Sequence, residues 1–258
     1  MKKSLSKPAQ KIIDQYLNLE IVGTQISCPY FNNRKQKVRN GLKVEVGKGS
    51  PKQITEETKR IAKKKNINLK QLNAEELRKL LIDNNIGIDC SGLAYYILNA
   101  EVKKRKEISL QKQLDFSNKG LIRRVIAKLR TVENIGVDLL AHRSNSEQID
   151  TAQVQPGDII AIENYGPQQK KSHIAVIHSV EYADNQPREL GLIHSFEWSS
   201  DGEYGGGVRK WKINIDNISN GILQQTWIEK GEKNENNETY ISAQDAVDLS
   251  LRRLLALS

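Results

Sequence analysis

The sequence predicts an α+β domain in which helices come first and an antiparallel sheet of about five strands follows. Before about residue 130, apolar residues recur at helical spacing between charged ones. After residue 158, short apolar runs alternate with loops that contain Gly, Pro, Asn or Asp, as expected for strands and turns. Helices followed by antiparallel strands are typical of the α+β class. A chain of 258 residues can bury a core in one such domain with a small appendage.

The first elements are expected to be a short helix and an extended segment. Ser6 and Pro8 precede apolar residues at helical spacing, which predicts a helix within residues 1–20. Residues 21–29 are then expected to be extended, and the basic, glycine-containing stretch 31–52 is expected to be a loop or hairpin.

Two further helices are predicted before the first strongly apolar helix. One begins at Thr55 and runs to about Lys65, and another begins at Asn73, with Leu77, Leu80 and Leu81 on one face. With the preceding loop they form a basic helical insertion over about residues 31–85. Residues 121–129 also have helical spacing.

The second half of the chain is expected to hold the sheet and a terminal helix. The predicted strands are 158–163, 173–181, 190–196, 207–214 and 222–229. Residues 230–258 are interpreted as an acidic tether followed by an amphipathic helix, which Ser242 caps. Its apolar stripe would consist of Val247, Leu251, Leu254 and Leu255.

The segment Gly87–Leu93 contains the most informative residue, Cys90. An Asp before the cysteine and Ser-Gly after it, followed by an apolar run, predict the first turn of a buried helix. Backbone N–H groups and the helix dipole favour a thiolate there. His173 opens a β-branched run and is expected at the head of a strand, where an imidazole can take the thiol proton.

These motifs resemble those of the NlpC/P60 cysteine peptidases. The Asp-Cys-Ser-Gly helix start at 89–92 is followed in order by a Gly-Asp strand at 156–162, a His strand at 172–177 and a third strand at 192–195. The resemblance covers about residues 20–215. It implies a papain-like fold with a catalytic domain over 21–229, and cleavage of a peptidoglycan stem-peptide amide.

The resemblance also implies roles for further residues. The third catalytic residue would be His194, with Glu197 as the alternative orienting group, because either can fix the tautomer of His173. Strand alternation puts His173, Ala175 and Ile177 on one face, expected to be the face toward the cysteine helix, and turns His178 to the other.

Other residues complete the expected site. Asp89 and Ser91 match the family motif and are expected to shape the substrate pocket, and the Cys90 N–H is the nearest oxyanion donor. Tyr30 resembles the family's Pro-Tyr residue near the cysteine, although an ordinary packed Tyr is an equal interpretation. Cys28 is expected to be inert. We expect no metal and no cofactor, since Cys-His-His is already explained by acyl transfer.

Charge is distributed unevenly and bears on partners. Residues 1–150 contain 30 Lys and Arg against 16 Asp and Glu, whereas residues 151–258 contain 10 against 15. Such a basic half could meet an anionic polymer or a membrane surface, but a solvated Lys-rich surface is the simpler interpretation. Nucleic acid is a minor hypothesis, because the basic runs lack interleaved aromatic residues.

The chain shows neither a signal-peptide pattern at its start nor an apolar stretch long enough to span a bilayer, so we expect a cytoplasmic protein or release without an ordinary secretory signal. The predicted function is amide hydrolysis by a Cys90-His173-His194 triad, with a peptide or muropeptide as the substrate. Lipid-acyl hydrolysis or transfer on the same fold, and a catalytically inactive binding module, are the alternatives.

Overall fold

The structure is a computed structural model that describes residues 1–33, 43–116, 130 and 132–258. The described residues form an α+β fold, as predicted, with helices packed on a mostly antiparallel sheet. The helix predicted over 121–129 lies outside the described residues. The helices are α1 (Lys7–Leu17), α2 (Pro51–Lys64), α3 (Ala74–Asp83), α4 (Cys90–Lys106), α5 (Leu110–Gln113), α6 (Val137–Leu140) and α7 (Glu238–Gln244).

The strands are more numerous than the five predicted. They are β1 (Lys2–Ser4), β2 (Leu19–Ile21), β3 (Thr24–Ile26), β4 (Ser146–Gln148), β5 (Ile159–Tyr165), β6 (Lys171–Ala183), β7 (Gln186–Phe196), β8 (Gly207–Asn214), β9 (Thr226–Glu229), β10 (Glu232–Lys233) and β11 (Asp248–Leu254). The main sheet has the order β10-β9-β8-β7-β6-β5-β11-β4, with β1 also paired to β6, and all its pairs are antiparallel. The hairpin β2-β3 is separate.

Local sequence explains where the two helices of the predicted insertion begin. Ser50 and Gln53 form a capping box, so α2 begins at Pro51 rather than at Thr55. Asn73 and Glu76 form a second capping box at the start of α3, as the sequence predicted. Each box satisfies two of the backbone N–H groups that a helix start leaves without partners.

The predicted amphipathic helix near the C-terminus is wrong. Residues 248–254 form β11, which is hydrogen-bonded between β5 and β4, and only residues 238–244 are helical. Val247 and Leu255, two members of the supposed apolar stripe, are 61% and 45% exposed. The predicted acidic tether contains β10 and the first residue of α7. Pairing with β5 satisfies the backbone groups of β11, which decides between two conformations that the side-chain pattern leaves open.

The main sheet is buried on both faces. One face, with Ile174 and Val176 of β6, packs against α1 and α4 in the first core. The other face, with Ala175 and Ile177, belongs to a second core that contains Trp227 and, from α7, Tyr240. Two-sided burial explains why the central strands are continuous apolar runs rather than alternating ones. No helix among the described residues has the length and apolarity needed to cross a membrane.

Candidate active site

Cys90 is the first residue of α4, as the sequence predicted. Asp89 caps this helix, and its Oδ1 accepts the Gly92 N–H at 2.6 Å. A side chain at Gly92 would place its Cβ 3.0 Å from the Gly47 carbonyl oxygen, so the glycine of the motif permits close packing of the segment before α2. The motif therefore fixes both the start of the helix and the chain that lies beside it.

Cys90 is only 7% exposed, and its thiol accepts a hydrogen bond from the backbone of Ile174 in β6. Burial raises its pKa to about 12 and Asp89 adds to this, while Lys48 and hydrogen bonds from the Ile174 and Ser91 backbone lower it. The resting group is therefore a thiol. The expectation that the helix start alone would give a thiolate is corrected, because desolvation of the charged form outweighs the helix dipole here.

His173 lies near the start of β6 and lines the same cleft as Cys90. Burial, with a smaller contribution from His194, lowers the pKa of His173 well below its ordinary value, so its resting form is a neutral imidazole. The predicted face was wrong. Ala175 and Ile177 belong to the core on the side of the sheet away from α4, whereas Ile174 and Val176 pack toward the helices. His173 lines the cleft from the third position of β6.

A hydrogen-bonded relay leads from His173 into the interior of the protein. His173 Nε2 lies 2.9 Å from His194 Nδ1, and His194 Nε2 lies 2.8 Å from Glu229 Oε1. The Thr239 hydroxyl donates to Glu229 Oε2 at 2.7 Å. The predicted orienting residue His194 is thus in place. Glu197, the alternative, is exposed at the rim of the cleft.

The relay links the proton positions of the two rings. Burial opposes ionisation of Glu229, but His194 and the hydrogen bonds from His194 and Thr239 outweigh it and lower the pKa of Glu229. The carboxylate is an acceptor only, so His194 donates to it from Nε2, and in the tautomer with this single ring proton His194 accepts at Nδ1. His173 then donates from Nε2. Its Nδ1 is left with a lone pair, which is what a general base requires.

Aromatic side chains enclose the two imidazoles. Phe196 stacks on His194 at 5.8 Å between ring centroids and meets His173 edge-on at 4.8 Å. Trp198 and Trp211 lie 5.3 Å from His194, and the Arg209 guanidinium lies 3.9 Å from the centre of the Trp198 ring. This packing holds the ring planes and excludes water from the relay.

The cleft in front of Cys90 has a volume of about 1050 Å³ and is open to solvent. The predicted residues Tyr30, Asp89, Ser91 and Glu197 line it together with Cys90 and His173. Burial raises the pKa of Tyr30, and the nearby Cys90 raises it further, so the Tyr30 hydroxyl keeps its proton. Asn32 donates a hydrogen bond to the Tyr30 oxygen, which leaves the hydroxyl hydrogen available for a substrate.

Three residues that contribute to the site were not predicted. Glu229 ends the relay, Lys48 lies between Asp89 and Ser91, and Arg78 of α3 holds the loop beside Tyr30. Arg78 donates to the carbonyls of Ser27, Tyr204, Gly205 and Gly206, and the Gly206 carbonyl accepts the Tyr30 N–H at 3.1 Å. A lone acidic residue at the end of an apolar strand was the available signal for Glu229, whereas Lys48 and Arg78 have no local signal.

The remaining candidates lie outside the site. Cys28 is fully buried and its pKa is raised by that burial, in agreement with the inert role predicted. His178 faces a separate cleft beside α1, on the opposite side of β6 from Ala175, as strand alternation predicted. Asp158 is buried and paired with Arg253 at 2.8 Å. His142 bonds the neighbouring Ser144.

No protein-family model, curated protein or solved structure matches this chain. Within the part of the chain that the structure describes, no group of three His, Cys, Asp or Glu side chains is arranged to hold a metal ion.

Proposed function

We propose that the protein is a cysteine hydrolase of the NlpC/P60 type, with a papain-like arrangement, that cleaves an amide bond in a peptide. The observation that carries the proposal is that Cys90, at a helix start, shares one cleft with His173, which is hydrogen-bonded to the His194-Glu229 relay. Nucleophile, base and orienting group are the three parts that acyl transfer requires.

The first half of the reaction forms an acyl-enzyme. Nδ1 of His173 takes the thiol proton while Sγ of Cys90 forms a bond to the substrate carbonyl carbon. The carbonyl oxygen gains the negative charge, for which the Cys90 N–H and the Tyr30 hydroxyl are the donors at the cleft. As the tetrahedral intermediate collapses, His173 returns the proton to the amine, and the C–N bond breaks to leave a thioester.

The second half releases the product. A water molecule gives a proton to His173 Nδ1 and attacks the thioester carbon, and the C–S bond breaks with return of the proton to sulfur. In both halves the positive charge on His173 forms in a buried site. The carboxylate of Glu229, joined through His194, stabilises that charge without taking the proton.

The substrate class comes from the resemblance together with the form of the cleft. By resemblance it is a peptidoglycan stem peptide or a related peptide. Along the wall of the open cleft Lys48 is paired with Asp89 and Arg130 with Glu133, while Lys171 and Glu197 are exposed at the rim and carry opposite charges. A peptide that bears both amino and carboxylate groups fits such a lining better than a long acyl chain does.

One experiment separates this function from its rivals. Wild-type protein and Cys90→Ala are incubated in parallel with muropeptides and with phospholipid vesicles, and products are identified by mass spectrometry. Peptide hydrolysis by wild type alone supports the proposal. Acyl transfer or release from lipid would favour the lipid-acyl alternative, and no turnover of either substrate would favour a binding module.

A further inference from the structure

Lys48 lies against the cysteine motif although it comes from the predicted insertion. It is 5% exposed, its backbone pairs with Ile88, and its carbonyl accepts the Tyr96 hydroxyl at 2.9 Å. These contacts hold the base of the side chain. A lysine is seldom buried to this extent without a partner for its charge.

The ammonium group contacts the residues on both sides of the nucleophile. Nζ lies 2.7 Å from each carboxylate oxygen of Asp89 and 2.5 Å from the Ser91 hydroxyl oxygen. Two of these contacts are hydrogen bonds, to Asp89 Oδ1 and to the Ser91 hydroxyl oxygen, and the contact with Asp89 Oδ2 completes the ion pair. The ammonium group of Lys48 is thus bound to the cysteine motif, and it acts on the site through its charge.

The positive charge of Lys48 offsets an unfavourable effect of the Asp89 carboxylate at the helix start. The carboxylate of Asp89 is needed as the cap of α4, where it accepts the Gly92 N–H. The same negative charge stands next to a thiol that must become a thiolate, and like charges close together disfavour ionisation. A cation bonded directly to the carboxylate removes this repulsion and keeps the cap.

We propose that Lys48 is a positioning residue that neutralises the Asp89 cap, so that the cap orders the helix start without opposing thiolate formation at Cys90. The proposal rests on the nucleophilic role of Cys90 proposed above. The direction in which each neighbour moves the pKa of Cys90, raised by Asp89 and lowered by Lys48, agrees with it.

Other charged or titratable groups also face this cleft and stay constant in the test. Tyr30 and His173 line the cleft with the thiol, and Lys171 and Glu197 are exposed at its rim. The nearby Arg130 is paired with Glu133 at 3.4 Å. Among the charged side chains that the described residues bring to this cleft, Lys48 is the one that forms an ion pair with Asp89.

The test measures the alkylation rate of Cys90 by iodoacetamide between pH 7 and 10, with peptide mapping to separate it from Cys28. Below the thiol pKa, the rate follows the thiolate fraction, which changes about tenfold per pKa unit. Lys48→Met should slow alkylation at pH 9 by at least about tenfold, and Asp89→Asn should speed it. The double variant Lys48→Met/Asp89→Asn should return to within about threefold of wild type.

Lys52→Met, which removes an exposed lysine from the same region, is the matched control and should leave the rate unchanged. Equal slowing in Lys48→Met and the double variant would overturn the proposal, because the charge of Asp89 would then play no part. If Lys48→Met does not fold by circular dichroism, an unchanged or slower rate in Asp89→Asn overturns it instead. Alkylation needs no substrate, so expected rate changes without peptide hydrolysis would refute the hydrolase function and leave the charge compensation standing.

Discussion

Replacement of Glu229 by Gln isolates the contribution of one buried charge to catalysis. Gln has nearly the same shape, and its amide oxygen can still accept the His194 N–H, so the tautomers of the relay are kept. What disappears is the negative charge that faces the His173 imidazolium formed during the reaction. The carboxylate is 3% exposed, so solvent screens it weakly.

The magnitude follows from the geometry of the relay. The two hydrogen bonds of 2.9 and 2.8 Å, with the width of the His194 ring between them, place the Glu229 carboxylate about 8 Å from Nε2 of His173. At an effective dielectric constant of about 20, unit charges at this separation interact by ~2 kcal/mol. That energy corresponds to a decrease in kcat of roughly 30-fold.

The assay is turnover of the muropeptide substrate proposed above, with nitrogen NMR of the imidazoles as a readout that needs no substrate. Glu229→Gln should keep the tautomer pattern and lower turnover by roughly 30-fold, whereas Glu229→Leu should also disturb the tautomer pattern. Glu232→Gln, an exposed acidic residue in the same hairpin, should behave as wild type. Turnover by Glu229→Gln within about twofold of wild type, with unchanged circular dichroism, would refute the electrostatic role given to the relay.

Three further outcomes are expected. His173→Ala should abolish turnover, whereas His178→Gln should not change it. Burial lowers the pKa of His178 to about 4, so the neutral ring stabilises the fold at high pH, and this stability is lost as the pH falls from about 6.5 toward 4. His178→Gln should reduce that loss, as measured in denaturant titrations. Catalytic loss in His178→Gln would contradict the assigned register. Arg253→Met should lower the free energy of unfolding by ~3 kcal/mol at pH 7, because it leaves the buried Asp158 carboxylate without its ion-pair partner. The exposed Arg188→Met should change the free energy of unfolding little, and equal losses in the two variants would contradict the burial argument. Arg78→Met should displace Tyr30 and so lower turnover by roughly 10- to 100-fold. The exposed Lys70→Met is the control. Equal turnover in the two variants would show that the loop of Tyr204, Gly205 and Gly206 keeps its position without Arg78.

Local patterns predicted the central sheet because each strand carries its own signal. β5, β6 and β7 contain apolar and β-branched runs, β8 alternates apolar with basic residues, and all four strands occur close to the predicted ranges. The start of α4 could also be predicted from local sequence, since the Asp89 cap, Cys90 and Gly92 lie within four consecutive residues. The pairing of His173 with His194 came from the family resemblance, and the two residues meet because β6 and β7 are adjacent.

Long-range contacts decided what the sequence could not. Leu251, Leu254 and Leu255 satisfy helical spacing, but the open edge of β5 offers hydrogen bonds that only a strand can use. The face of β6 that carries His173 was also assigned wrongly, because a strand that is apolar on both sides gives no sign of which side meets the helices. The contact of Lys48 with Asp89 could not be predicted locally, because it joins two segments about forty residues apart in the sequence.

The position of Thr239 at the end of the relay has a consequence for the order in which the site is completed during synthesis. Cys90 and both histidines leave the ribosome before the segment that carries Thr239 and β11, yet that segment supplies the hydroxyl that holds Glu229 and a strand that lies beside β5. A nascent chain that ends before residue 239 contains Cys90 and His173 but lacks the hydroxyl that donates to Glu229. The complete hydrogen-bonded relay from His173 to Thr239 can therefore form only after synthesis has passed residue 239.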